Sequence, residues 1–127
     1  MATQQGDAQM TETPATVPVE IVSRWDSTKV LFRCEVDAKI PVIGRIKAAL
    51  EIAVRVDASL VGASLDGASL DGARLVGARL DGASLDRASL VGASLDGASL
   101  DGARLDGASL DRASLVGASL DGASLDG

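Results

Sequence analysis

The stretch "ASLDGASLDGARLVGARLDG", Ala63 to Gly82, decides the fold. It is one five-residue phrase written four times, and the phrase runs on without insertion or deletion from Ala58 to Gly127, fourteen pentads in all. Ala stands first and Leu third in every copy; Ser or Arg is second, Asp or Val fourth, Gly or Arg fifth. Strict self-similarity at a fixed period outranks any single-residue cue.

The phrase excludes the two simplest backbones. In a helix, five residues advance about 500°, so successive Leu side chains step round the axis by about 140° and never form a stripe. Twelve of the fourteen Gly also lie in the repeat, which a helix tolerates poorly. A flat strand fails because an odd repeat sends Leu65, Leu70 and Leu75 to alternating faces. The chain therefore has to bend once per pentad, near the Gly that takes positive φ at low cost. The expected interior is Leu60, Leu65, Leu70, Leu75, Leu80, Leu85, Leu90, Leu95, Leu100, Leu105, Leu110, Leu115, Leu120 and Leu125, with Ala63, Ala68, Ala73 and Ala78 beside them.

The pattern A-x-L-x-x over Ala58–Gly127 resembles the pentapeptide repeat family, differing in taking Ser or Arg at the second position, where the family often has Asp or Asn. The resemblance implies an all-β solenoid: a right-handed quadrilateral β-helix with four pentapeptides per coil, about 3.5 coils here. The segment upstream is similar to the hairpin-and-helix lead-in of several members.

Three regions are expected. Residues 1–16 are polar, lack hydrophobic periodicity and read as a disordered tail. Residues 17–57 read as a β-hairpin and a capping helix. Val17, Val19 and Ile21, then Val30, Phe32, Cys34 and Val36, alternate at period two on either side of the turn-rich "WDST". Ile43, Ile46, Leu50 and Ala53 or Val54 then recur at helical spacing, with Pro41 expected in the first turn. Phe32, Ile43, Ile46 and Leu50 are the expected cap residues, covering a first coil that otherwise exposes a bare Leu layer and an unpaired ladder. No comparable segment follows the last pentad. A truncated chain or consensus-like design, fraying, and self-association through the open C-terminal coil, including head-to-tail filaments, all remain readings of that end. Family members often dimerise there.

Function is less legible. The net charge is −6, and the repeat supplies ten Asp against five Arg, which argues against direct nucleic-acid or anionic-membrane binding. With four pentads per coil, Asp66, Asp86, Asp106 and Asp126 form one acidic column, and Asp81, Asp101 and Asp121 another. Each adjacent like-charged pair costs about 0.9 kcal/mol in water before screening. Such columns suit a DNA mimic, and the family resemblance implies a type II topoisomerase as a partner for it. The bland reading is that Asp and Ser keep the repeat soluble. The blocks 83–102 and 108–127 are identical. Their twenty-five-residue offset turns the outer pattern by one face, as modular expansion would, and works against selection of one binding face.

No catalytic, metal or cofactor site is expected. The chain has no His, one Cys and no Lys in the repeat, so a nucleophile–base pair and a His/Cys metal cluster lack their parts. The glycine-rich calcium nonapeptide, a P-loop and a dinucleotide fingerprint are absent. A Thr-array ice-binding face and a Pro-dependent elastomer have no Thr or Pro in the repeat to build on. Lys and Arg are missing before Arg24, against secretory and transit leaders. The expectation is a non-enzymatic, cytoplasmic scaffold or interaction module.

Overall fold

The computed structural model describes residues 15–127. The expected tail lies outside the described residues up to Pro14. Its proposed limit at residue 16 is one residue too long, because strand β1 spans Thr16–Val22. β1 pairs antiparallel with β2, Val30–Asp37, with Val19 opposite Cys34 and Ile21 opposite Phe32. The "WDST" turn closes on Asp26, whose carboxylate accepts the Thr28 amide at 3.0 Å and whose carbonyl accepts the Lys29 amide at 2.9 Å. Alternation places Val19, Ile21 and Val36 in the core. The register slips at Ile21/Val22. Beyond that bulge Val30 leaves the buried face and is 43% exposed, since a one-residue shift moves a side chain to the other side of a strand.

Helix α1, Val42–Arg55, runs about four turns. Pro41 is the residue before the helix and not in its first turn; its carbonyl accepts the Gly44 amide. Ala49, Leu50 and Ala53 are the buried face, with Ile46 and Phe32 packed partly against the core. Ile43 is corrected from a cap residue to a surface one, 72% exposed, because the first turn of α1 stands clear of the layers below it. None of the described helices is long and apolar enough to cross a membrane.

From Ala58 the backbone repeats one hydrogen-bond pattern. Residues twenty apart bridge in parallel, from Ser59↔Arg79 through to Arg104↔Ser124, so four pentads separate stacked neighbours. The Leu and Gly amides of one coil donate to the next, as Leu65 does to Ser84 and Gly67 to Asp86, while the Ser84 amide donates back to Ala63, all at 2.8 Å. Within a coil the bend is a turn in which the Leu carbonyl accepts the following Ala amide, Ala73 to Leu70 at 3.0 Å. Only the fifth position has positive φ, between 59° and 88°, the signature of a type II turn and the reason Gly recurs there. Arg87 and Arg112 hold the same conformation at φ 62° and 59°, at a cost of about 1–2 kcal/mol for a residue with a Cβ.

Over most of the repeat the inward order is Ala and Leu. Every third-position Leu from Leu60 to Leu105 is at most 3% exposed. Ala63, Ala73 and Ala78 are buried and Ala68 is partly so. The expectation fails at the far end: Leu110, Leu115 and Leu120 are only partly buried and Leu125 is 48% exposed, because no layer of the described residues lies against 108–127. The near end is covered. Ser23 forms an antiparallel bridge with Ala63, and the Ser64 amide donates to the Val22 carbonyl at 2.8 Å. Arg24 bonds the Gly62 carbonyl through its amide and the Gly82 carbonyl through its guanidinium.

Candidate functional site

Two features of the outer surface place polar groups in a defined geometry: the Asp columns and a cleft beside α1.

The columns are where the pairing predicts them. The Asp86 amide donates to the Asp66 carboxylate, Asp106 to Asp86 and Asp126 to Asp106, at 3.0–3.1 Å. The second column repeats this: Asp101 donates to Asp81, and Asp121 to Asp101. The same oxygen that takes the amide twenty residues ahead also accepts a Ser hydroxyl eighteen residues ahead: Ser84 donates to Asp66, Ser99 to Asp81, Ser119 to Asp101 and Ser124 to Asp106. Asp71 and Asp96, outside the two columns, bind Ser89 and Ser114 in the same way. At Asp86 the residue eighteen ahead is Arg104, and its guanidinium replaces the hydroxyl with an ion pair at 2.9 Å. Every fourth-position Asp with a coil beyond it is thus clasped by that coil.

Magnitudes favour the clasp over the repulsion. A hydrogen bond to a charged group contributes about 1.5–3 kcal/mol net, against about 0.9 kcal/mol, before screening, for two carboxylates one strand spacing apart. Asp106 shows the consequence in its acidity. The Ser124 hydroxyl first, then the Asp126 amide and the Arg104 charge, hold its carboxyl below the usual 3.8. These acids are therefore interlayer fasteners that also face water.

The cleft, of about 510 Å³, lies between α1 and the first coil and is lined by Lys47, Glu51, Arg55, Gly72 and Arg74. Its floor is a substitution of side chain for backbone. From Ser84 onward the second-position amide donates to an Ala carbonyl of the coil before, as Ser94 does to Ala73; Arg74 has no coil before it and donates to the Glu51 carboxylate at 2.8 Å.

Sequence reasoning missed three things here. Glu51 reads as a solvent-side helix residue until its distance to the coil edge is known. The Ser–Asp clasp is encoded eighteen residues apart, a spacing with meaning only once the twenty-residue coil is established. Trp25, taken as part of a turn, lies over Gly62, where an added Cβ would come within 2.2 Å of its ring. The Arg24 guanidinium stacks 5.5 Å from that ring's centre.

Among the described residues no three His, Cys, Asp or Glu side chains group as a metal site. Cys34 is a free, half-buried thiol, and burial, with the nearby Glu35 charge, pushes its pKa up, which is opposite to what a reactive thiolate needs.

Comparison with known proteins agrees with the repeat. The chain is similar to the solved structure of a pentapeptide repeat protein (Rfr23) from the cyanobacterium Cyanothece 51142, at 41% identity and a TM-score of 0.49, over 50% of this chain and 44% of that one. It thus spans less than half the length of that protein. It is also similar to a pentapeptide repeat protein from Nostoc Pcc 7120, at 31% identity and a TM-score of 0.25, over 57% of this chain and 74% of that one. No curated protein matches. The family described as "Pentapeptide repeats (8 copies)" matches residues 57–87 and 88–127, more than half of the sequence, and the chain belongs to the pentapeptide repeat family.

Proposed function

We propose that residues 58–127 form a right-handed quadrilateral β-helix that acts as a non-enzymatic scaffold or interaction module, capped at its first coil by the hairpin and α1. Pentapeptide repeat proteins fold as right-handed quadrilateral β-helices and are generally structural or interaction proteins. The parallel pairing of residues twenty apart supports four pentads per turn.

The observation that carries the functional reading is the clasp. Seven Asp carboxylates, Asp66, Asp71, Asp81, Asp86, Asp96, Asp101 and Asp106, accept hydrogen bonds from the next coil, so their charge has a structural use that needs no partner. On this reading, type II topoisomerase supercoiling is unchanged by micromolar amounts of the chain. Inhibition that is lost when Asp66, Asp86 and Asp106 are together changed to Asn would instead favour an acidic DNA mimic.

A second reading rests on the half-exposed Leu125 and the partly buried Leu110, Leu115 and Leu120. The coil 108–127 supports self-association, with a second copy covering that Leu layer. Sedimentation across concentration tests it: a mass that rises toward a dimer and reverts in Leu125→Asp supports it, and a concentration-independent monomer overturns it.

A further inference from the structure

The cleft beside α1 is a positive spot on a negative protein. Three of its side chains, Lys47, Arg55 and Arg74, are cationic and one, Glu51, is acidic, whereas the whole chain carries −6. The ion pairs among the described residues join Arg33 to Glu20, Arg79 to Asp57, and Arg104 to Asp86 and Asp106, and none includes a cleft cation. The single acid is engaged from below, accepting the Arg74 amide at 2.8 Å. Three cations thus share one space with one carboxylate that is held at its floor.

From this arrangement we infer that the cleft is a binding site for a small oligophosphate. Guanidinium forks on Arg55 and Arg74 match phosphate oxygens in pairs, and Lys47 adds a compact charge. The volume of about 510 Å³ falls within the range of small-molecule sites, about 300–1,000 Å³. None of the lining residues is a large apolar or aromatic one, so nothing there receives a nucleobase or an acyl chain. The ligand is therefore polar over its whole surface and multiply charged. Attraction to the cations outweighs the Glu51 repulsion because three like charges oppose one. This inference goes beyond the scaffold reading and shares with it only the packing of α1 on the first coil.

Calorimetric titration of the full chain with inorganic tripolyphosphate at low ionic strength tests it. Saturable one-to-one binding is expected, weakened about five- to tenfold by Arg55→Ala or Lys47→Ala. Glu51→Gln keeps a carbonyl oxygen to accept the Arg74 amide while removing the opposing charge, so it tightens binding; a merely structural Glu51 would leave affinity the same or lower. Lys29→Ala, which removes a cation from the hairpin turn, leaves affinity unchanged. An ATP arm that binds no more tightly than tripolyphosphate supports a site that reads phosphate alone. No saturable heat, equal weakening by Lys29→Ala and Arg55→Ala, or ATP binding at least tenfold tighter than tripolyphosphate overturns the inference.

Discussion

The first and last coils, residues 58–77 and 108–127, are built from the same phrase and have different physical states. In the first, Leu60, Leu65, Leu70 and Leu75 are at most 3% exposed. In the last, Leu125 is 48% exposed and its three companions are only partly buried. The difference is not in the pentads but in what lies against them. The first coil has the Val22 carbonyl and the Glu51 carboxylate in place of a preceding coil, and the Trp25 ring over its Gly62 corner. A pentad thus specifies a corner and an inward Leu, and its stability depends on its neighbours.

The largest test of that contrast is in the core. Leu90→Ala should cost about 3–5 kcal/mol, as a fully enclosed Leu truncation does, whereas Leu125→Ala should cost less than about 1 kcal/mol; urea unfolding followed by circular dichroism measures both. Equal losses would mean that the last coil is as well packed as the middle. At the corners, Gly62→Ala should cost about 2–4 kcal/mol, combining positive φ with overlap against Trp25. Gly97→Ala, with no atom of the described residues within 4 Å of the added carbon, should cost only the conformational part, about 1–2 kcal/mol. In Trp25→Ala the two substitutions should converge.

The clasps come next in size. Ser99→Ala removes the hydroxyl donor to Asp81 and should cost about 1–2 kcal/mol. Ser94, eighteen residues beyond Val76, has no such acceptor, and its replacement by Ala should be close to neutral. The smallest effect is an acid limb. The Asp106 carboxyl is depressed in the folded chain by its bonds from the last coil, so the unfolded chain binds that proton more readily. The stability it contributes is present above about pH 4 and is lost as pH falls through the depressed value. Asp106→Asn should therefore be destabilising near neutrality and progressively less so below pH 4 in thermal melts.

The reach of the sequence follows from the range of each interaction. Corners and the inward Leu and Ala are local consequences of a five-residue period, so they could be read from one pentad. The hairpin register was legible from alternation up to Ile21, then lost at a bulge that depends on how the turn closes. Ile43 obeys the same helical spacing as Leu50 yet lies in water, because periodicity marks a face and not how far along the helix that face is covered. The clasps needed the coil length before residues eighteen apart could be seen as neighbours. Glu51 needed three dimensions altogether, since its partner is a backbone amide twenty-three residues away and carries no residue-type cue.

The central claim is that fourth-position Asp residues fasten one coil to the next, and amide hydrogen exchange resolved by residue tests it most directly. The amides of Asp86, Val91, Asp101 and Asp106 each donate to an Asp carboxylate twenty residues back. Those of Asp81 and Asp96 face Val61 and Val76 across the same spacing and have no such acceptor. The account predicts slow exchange at the first four and fast exchange at Asp81 and Asp96, a pattern set by the residue one coil earlier. Equal rates at Asp81 and Asp101 would contradict it.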